Sequence, residues 1–402
     1  MQSPTRFLDR SSPPHVATLI LISGLSALAM NIFLPSLPQM ALYFDADYRI
    51  IQLSVAVYFA ATAILQLVIG PLSDKYGRRP VLMWGVGLFL LATLGCIFAP
   101  NATIFLLFRM MQAIVSVTMV ISRAVVRDMY MDDQAASMIG YVTMGMAIAP
   151  MLGPAIGGFL DEWLGWQASF WTLFLLGVLC IWLIQADLGE TAVASDRSLI
   201  QQFREYPELF RSPRFWGYAA AAALSSGAFF AYLGGAPFVG TELFGLSSSQ
   251  LGIFFGAPAL GYFFGNFLSG RFSIRFGINQ MVLWGCGVNA AGLMILLLIF
   301  LYGQGNVYIF FGFMTFVGIG NGMTLPNATA GMLSVRPHLA GTAAGLGGSL
   351  MIGGGAALSA LAGILLAPET GAMPLLWLMF TTAALGLAAI QFVHWRERQL
   401  MR

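Results

Sequence analysis

The sequence predicts an all-α integral membrane protein of twelve transmembrane helices, arranged as two pseudo-symmetric six-helix bundles. Three observations carry that expectation. Hydrophobic residues make up 58% of the 402 and aromatic residues 13%, against 9% charged, too little polar surface to cover a water-soluble globule of this size. Twelve apolar runs are each long enough to cross roughly 30 Å of hydrocarbon as a helix. The two halves also repeat each other: Ser73, Lys75, Tyr76 and Gly77 recur 200 positions later as Ser273, Arg275, Phe276 and Gly277, and Trp84, Gly85 and Gly87 recur as Trp284, Gly285 and Gly287. Parallel repeats about an axis along the membrane normal are a known transporter plan, with the substrate site near the midplane at the repeat interface. One position breaks the repeat: Asp74 is matched by Ile274.

The first run, 16–38, follows a polar stretch carrying Arg6 and Arg10, and its length marks it as a retained helix rather than a cleaved leader. Runs 51–71 and 81–99 bracket the stretch Gly70 to Arg79, where Asp74, Lys75, Arg78 and Arg79 crowd four charges into six positions, read as a short charged turn punctuated by Gly77. In run 102–125, Arg109, Gln112, Ser116 and Arg123 follow each other at spacings of 3, 4 and 7, which places them on one helix face. An arginine near a helix centre costs at least about 2.5–3.5 kcal/mol to insert, so Arg109 needs a wet cavity or a partner. Run 135–160 combines Pro150 and Pro154 with Gly153, Gly157 and Gly158, a pattern for close helix approach and bending. After run 166–186 comes the longest polar interval, 187–214. Within it Leu199, Phe203, Tyr206 and Phe210 mark a short amphipathic surface helix, which Pro207 is expected to kink or end. The domain expectation is therefore a six-helix unit over 1–190, a linker over 191–212, and a second six-helix unit over 213–402. The second unit holds runs 215–239, 250–270, 280–302, 306–330, 339–366 and 373–394.

With the N-terminus inside, the inner segments hold Arg6, Lys75, Arg78, Arg79, Arg127, Arg204, Arg271, Arg336 and Arg398 among others, and the outer loops hold only Arg49. The positive-inside rule then puts both termini in the cytoplasm of a multi-pass protein of a bacterial inner membrane. A net charge of +2 leaves no basic surface for nucleic acid. Cys96, Cys180 and Cys286 sit in separate apolar runs and read as buried small hydrophobes. No metal-ligand cluster, Ser/His/Asp set or paired intramembrane carboxylate argues for an enzyme, a metal or a cofactor. A transporter-like receptor is disfavoured by the short tail after the last run.

Together, G-P-L-S-D-K-Y-G-R-R (70–79), R-M-M-Q (109–112) and the glycine–proline run of 145–158 resemble three motifs of the major facilitator superfamily, in the family's order. More narrowly, N-I-F-L-P-S-L-P from Asn31, S-R-A-V-V-R-D from Ser122, G-W-Q-A-S-F from Gly165 and L-G-E-T from Leu188 resemble the Bcr/CflA-type drug-resistance efflux transporters. The resemblance implies the major facilitator fold and a gate of Gly70, Asp74, Gly77, Arg78, Arg79, Arg127 and Asp128. In that gate Asp74 holds helix 11 and Arg78 pairs with Asp128. It implies a bending helix at Pro150, Gly153, Pro154 and Gly157, and a substrate cavity lined by spans 1, 4, 7 and 10. The lining candidates are Asn31, Arg109, Gln112, Ser116, Phe229, Phe230, Tyr232 and Asn321, with Met30, Phe33 and Met323 beside them and Tyr58 nearby on span 2. Transporters of this type usually carry an acid in the first helix where this chain has Asn31, and an asparagine cannot carry a proton. The functional expectation is efflux of small amphipathic molecules such as phenicol-like antibiotics by alternating access, with protons as coupling ion, in a monomer embedded in the lipid bilayer. The alternative is export of a metabolite such as an amino acid or nucleoside, without proton coupling through helix 1.

Overall fold

The computed structural model describes residues 7–10, 12, 14–129, 142, 152–191, 206–336 and 340–400. Every regular element among them is helical, and eleven helices are long and apolar enough to cross a membrane. They are α1 (Val16–Tyr43), α2 (Tyr48–Tyr76), α3 (Arg78–Ile97) and α4, in which Ala102–Gln112 and Ser116–Met129 are joined by the 3-10 turn Ala113–Val115. After α5 come α6 (Gln167–Asp187), α7 (Pro213–Phe238), α8 (Ser248–Phe276), α9 (Ile278–Leu301), α10 (Val307–Val335), α11 (Ala340–Leu365) and α12 (Met373–Leu400). The fifth expected span is described at 142 and as helix over 152–164, labelled α5.

Helix ends follow the local chemistry. Asn101 and Asn306, each just before a helix, accept the N–H of Ile104 and Ile309 at 2.9 and 3.0 Å, and Ser212 precedes Pro213 at the start of α7. Pro35 and Pro38, which lack the amide donor, interrupt α1 after Asn31 with the 3-10 turn Leu34–Ser36. The sequence predicts α1 as one continuous helix; its C-terminal quarter is a separate piece, Leu37–Tyr43. The charged stretch at 70–79 is also not a loop. α2 runs through Pro71 to Tyr76, and α3 begins at Arg78, so the turn is Gly77 alone at φ 95° and ψ 150°. Gly277 makes the same single-residue turn between α8 and α9 at φ 82° and ψ 156°, a backbone shape open to glycine at little cost. Pro207, expected to kink or end the surface helix, is the second residue of the described helix Tyr206–Phe210; Leu199 and Phe203 fall outside the described residues.

The chain divides into two compact units, Met1–Leu199 and Ile200–Arg402. In the first, α4 is packed against α1, α2 and α3, and α6 against α1 and α3. Gly153 and Gly157 of α5 seat on the interruption of α1, where a Cβ on Gly157 would overlap the Ile32 carbonyl. In the second unit α10 packs against α7, α8 and α9, and α7 against α11 and α12. Gly261 and Gly265 of α8 face Gly318 and Gly322 of α10, backbone on backbone, with no room for a Cβ at any of the four.

Candidate functional site

Arg109 is the centre of the first unit. It is fully buried on α4, and its guanidinium is held by neutral groups. Nη1 donates to Gln112 Oε1 at 2.7 Å, one turn further along the same helix, and Nη2 donates to the Ala29 carbonyl of α1 at 2.8 Å. Its faces are covered by the rings of Phe33 and Tyr58, whose centroids lie 4.2 and 4.1 Å from the central carbon. Gln112 is fixed in turn, since its Nε2 donates to Thr93 Oγ1 of α3 at 2.8 Å and Thr93 donates to the Phe89 carbonyl at 2.7 Å.

The Ala29 carbonyl is available because α1 stops at Asn31. The prolines that follow break the ladder of backbone bonds, and the last carbonyls of a helix segment carry about half a negative charge. Arg109 meets that end of α1, so the helix interruption supplies the electrostatic counterweight that a carboxylate would supply elsewhere. Asn31 joins the cluster only indirectly. Its Nδ2 donates to the Ala27 carbonyl of its own helix at 2.8 Å, and its buried Oδ1 finds no hydrogen-bond partner among the described residues. Ser116 Oγ and Arg109 Nε are buried and unpartnered in the same sense.

The expected lining residues are thus brought together unevenly. Tyr58, Arg109 and Gln112 form one contact set, with Asn31 and Ser116 near it, all buried. In the second unit Phe229 stacks on Tyr232 with ring centroids 6.3 Å apart, and Tyr232 meets Phe255 at 5.1 Å. Phe230 lies against Gly355. Asn321 belongs to a separate network, accepting from Ser225 Oγ at 2.9 Å while Asn289 Nδ2 donates to the Ser225 carbonyl at 3.2 Å.

A second ionic cluster sits where α2 meets α3. Arg78 pairs with Asp74 and, through Nε, with Asp128 Oδ2 of α4 at 3.0 Å, while its Nη1 donates to Ser73 Oγ at 2.6 Å. Ser73 Oγ donates to the Gly70 carbonyl. Glu190 carries no role in the sequence reading, yet its carboxylate accepts the backbone N–H of Arg78 at 2.8 Å, of Arg79 at 3.2 Å and of Thr191 at 3.1 Å. Thr191 Oγ1 donates to Asp128 at 3.2 Å. Asp187 was missed as well; fully buried, it accepts from the Leu8 and His15 N–H groups at 2.7 and 2.9 Å. The only signal for Glu190 and Thr191 was the L-G-E-T stretch, and nothing marked Thr93 or the Ala29 carbonyl. The side chain of Arg127 and the whole of Pro150 lie outside the described residues; Gly153, Pro154 and Gly157 are in the described part of α5. Among the described residues no group of three His, Cys, Asp or Glu could hold a metal.

The sequence profile described as Major Facilitator Superfamily matches residues 19–360. A protein of Pseudomonas aeruginosa named chloramphenicol resistance protein is 30% identical over 388 residues, 94% of this chain and 91% of that one. A Haemophilus influenzae protein named bicyclomycin resistance protein homolog is 27% identical over 393 residues, 97% and 98% of the two chains. Among solved structures, a peptide transporter in complex with alafosfalin superimposes with a TM-score of 0.75 over 94% of this chain and 93% of that one, at 14% identity.

Proposed function

The chain belongs to the major facilitator superfamily, in its Bcr/CflA drug-resistance branch, and on that premise we propose that it exports small amphipathic molecules across a bacterial inner membrane by alternating access. Its two six-helix domains are 1–190 and 213–402, joined by the linker 191–212, with both termini in the cytoplasm and the monomer as working unit. The observation that carries the reading is Arg109: a cation kept in the bilayer core on the fourth span, enclosed by aromatic rings and by carbonyl and amide oxygens. Intramembrane charge is expensive and marks a substrate or ion pathway by default. Kinship over nearly the whole chain with a protein named for chloramphenicol resistance supports phenicol-like compounds as substrates.

Asn31, Tyr58, Arg109, Gln112, Ser116, Phe229, Phe230, Tyr232 and Asn321 serve substrate binding. The latch of Gly70, Asp74, Gly77, Arg78, Arg79, Arg127 and Asp128, with the bending positions Pro150, Gly153, Pro154 and Gly157, serves the conformational change. Coupling is proton antiport through a group other than the first helix's Asn31, whose side chain cannot carry a proton. The uncharged Asn31 also favours a second reading, exchange of a metabolite such as an amino acid or nucleoside without proton movement.

The test is growth of a pump-deficient bacterium on a broad antibiotic panel, expressing either this chain or its Asp74→Asn variant at matched levels. Resistance to a chemically related subset, lost in the variant, is the expected outcome. No resistance to any compound, with protein verified in the membrane, would overturn drug export in favour of metabolite export.

A further inference from the structure

We infer that this transporter selects by charge, accepting neutral and anionic amphiphiles and refusing lipophilic cations, with Arg109 and the uncharged Asn31 as the specificity-determining pair. The inference deepens the proposed function and rests on it for the existence of a binding cavity. Its source is the imbalance of charge inside the spans. Among the described residues, every Asp and Glu lies outside the helical spans or in the last turns at their ends, as Asp74, Asp187 and Glu242 do. Among the described residues Arg109 is therefore met by dipoles and not by a carboxylate: the Gln112 amide, the Ala29 carbonyl at the end of the first segment of α1, and two ring faces.

Phe33 and Tyr58 are themselves buried, so in this conformation a ligand senses Arg109 through its field, not by contact. A ligand seated on the far side of α1 or α2 lies about one helix diameter, roughly 10 Å, from the guanidinium. At an effective dielectric of about 20, one full charge at that distance alters the affinity for a monovalent ion about fifteenfold. The half charge at the end of the α1 segment reduces this to about fourfold. The sign is opposite for an anion and a cation, so a pair of ions alike in shape separates by the product of the two effects. Asn31 is the position at which a carboxylate would cancel the field: it is buried in the chain midway between Ala29 and Phe33, two residues from each, and its Oδ1 has no donor among the described residues.

Tetraphenylborate and tetraphenylphosphonium are matched in shape and apolar surface and differ in sign. Their binding to the purified full chain in detergent, followed by tryptophan fluorescence and corrected with protein-free micelles, should favour the borate by at least tenfold. In Asn31→Asp at pH 8 the preference should fall at least threefold. Equal affinities in the wild type, tighter phosphonium binding, binding of neither ion, or an unchanged preference in a folded Asn31→Asp protein would each overturn the inference. Asn31→Ser, which alters the side chain without adding charge, should keep the preference and separates charge from packing. The proposed function fails in a different way: cells gain no drug resistance while the ion preference persists. Resistance accompanied by equal ion affinities would remove the charge selection and leave drug export standing.

Discussion

The two units are repeats in backbone and opposites in chemistry. Counting from the asparagines that cap α4 and α10, Arg109 is eight residues past Asn101 and Met314 is eight past Asn306, both fully buried. The first unit thus places a cation where the second places a thioether. At the matching single-glycine turns, Asp74 and Arg78 are joined to Asp128 and Ser73 in the first unit. In the second, the corresponding positions are Ile274 and Ile278, and Ile274 is 98% exposed. The second unit compensates with glycine, closing α8 on α10 through four residues that admit no side chain. In the first unit the corresponding helices, α2 and α4, meet through Tyr58 lying on Arg109. The lesson is a division of labour: one repeat keeps a buried cation and an ionic cluster at its glycine turn, and the other closes the matching helices by glycine packing.

The comparison breaks most completely at the glycine contact. Gly322→Leu drives a side chain into the backbone of α8 at Tyr262 and Asn266, where no rotamer change can make room. Overpacking of this kind costs about 3 kcal/mol or more, and the variant should be cleaved by protease within the second unit at temperatures the wild type survives. An intact, equally resistant Gly322→Leu protein would show that α8 and α10 are not a rigid pair.

Next in size is Arg109→Met, which copies the residue of the second unit into the first. It leaves the Ala29 carbonyl and the Gln112 amide oxygen without their donor in a dry interior, about 1–3 kcal/mol for each unsatisfied group. The melting temperature should fall and drug resistance should vanish. Arg109→Lys keeps the charge but cannot reach Gln112 and Ala29 as a planar fork between two rings, so it should recover stability only in part and resistance hardly at all. Full resistance in Arg109→Met would mean that the difference between the repeats is packing alone.

Much of this architecture was legible because the bilayer leaves few options: spans must be apolar for about 20 residues, and their ends must find caps. Arg109, Gln112 and Arg78 stood out as scarce polar residues in apolar surroundings. Their partners did not. The Ala29 carbonyl is backbone and has no letter of its own, and Thr93 meets Gln112 only because α3 and α4 cross there. Burial of Arg109 behind Phe33 and Tyr58 depends on the interruption of α1, which Pro35 and Pro38 signal but do not orient. The 70–79 stretch looked like a loop because charge and glycine are loop signals; at the edge of a membrane they equally suit the last turns of a helix that has emerged from it.

The smallest effect tests the turn itself. Glu190 accepts the first two backbone N–H groups of α3, while at Gly277 a Cβ would meet nothing within 4 Å among the described residues. Glu190→Ala would therefore make the first turn resemble the second. Loss of a helix cap costs about 1 kcal/mol, and the penalty should be accompanied by a weaker coupling of Arg78 to Asp128, because α3 is then free to fray where Arg78 begins it. A double-mutant cycle between Arg78→Gln and Asp128→Asn, measured by thermal unfolding with and without Glu190→Ala, separates the two contributions. The coupling of this pair, with Arg78 buried and Asp128 partly exposed, is expected at about 1 kcal/mol, and it should fall towards zero without the cap. If it stays unchanged, Glu190 only finishes the helix, and Arg78 owes its order to Asp74, Ser73 and Asp128.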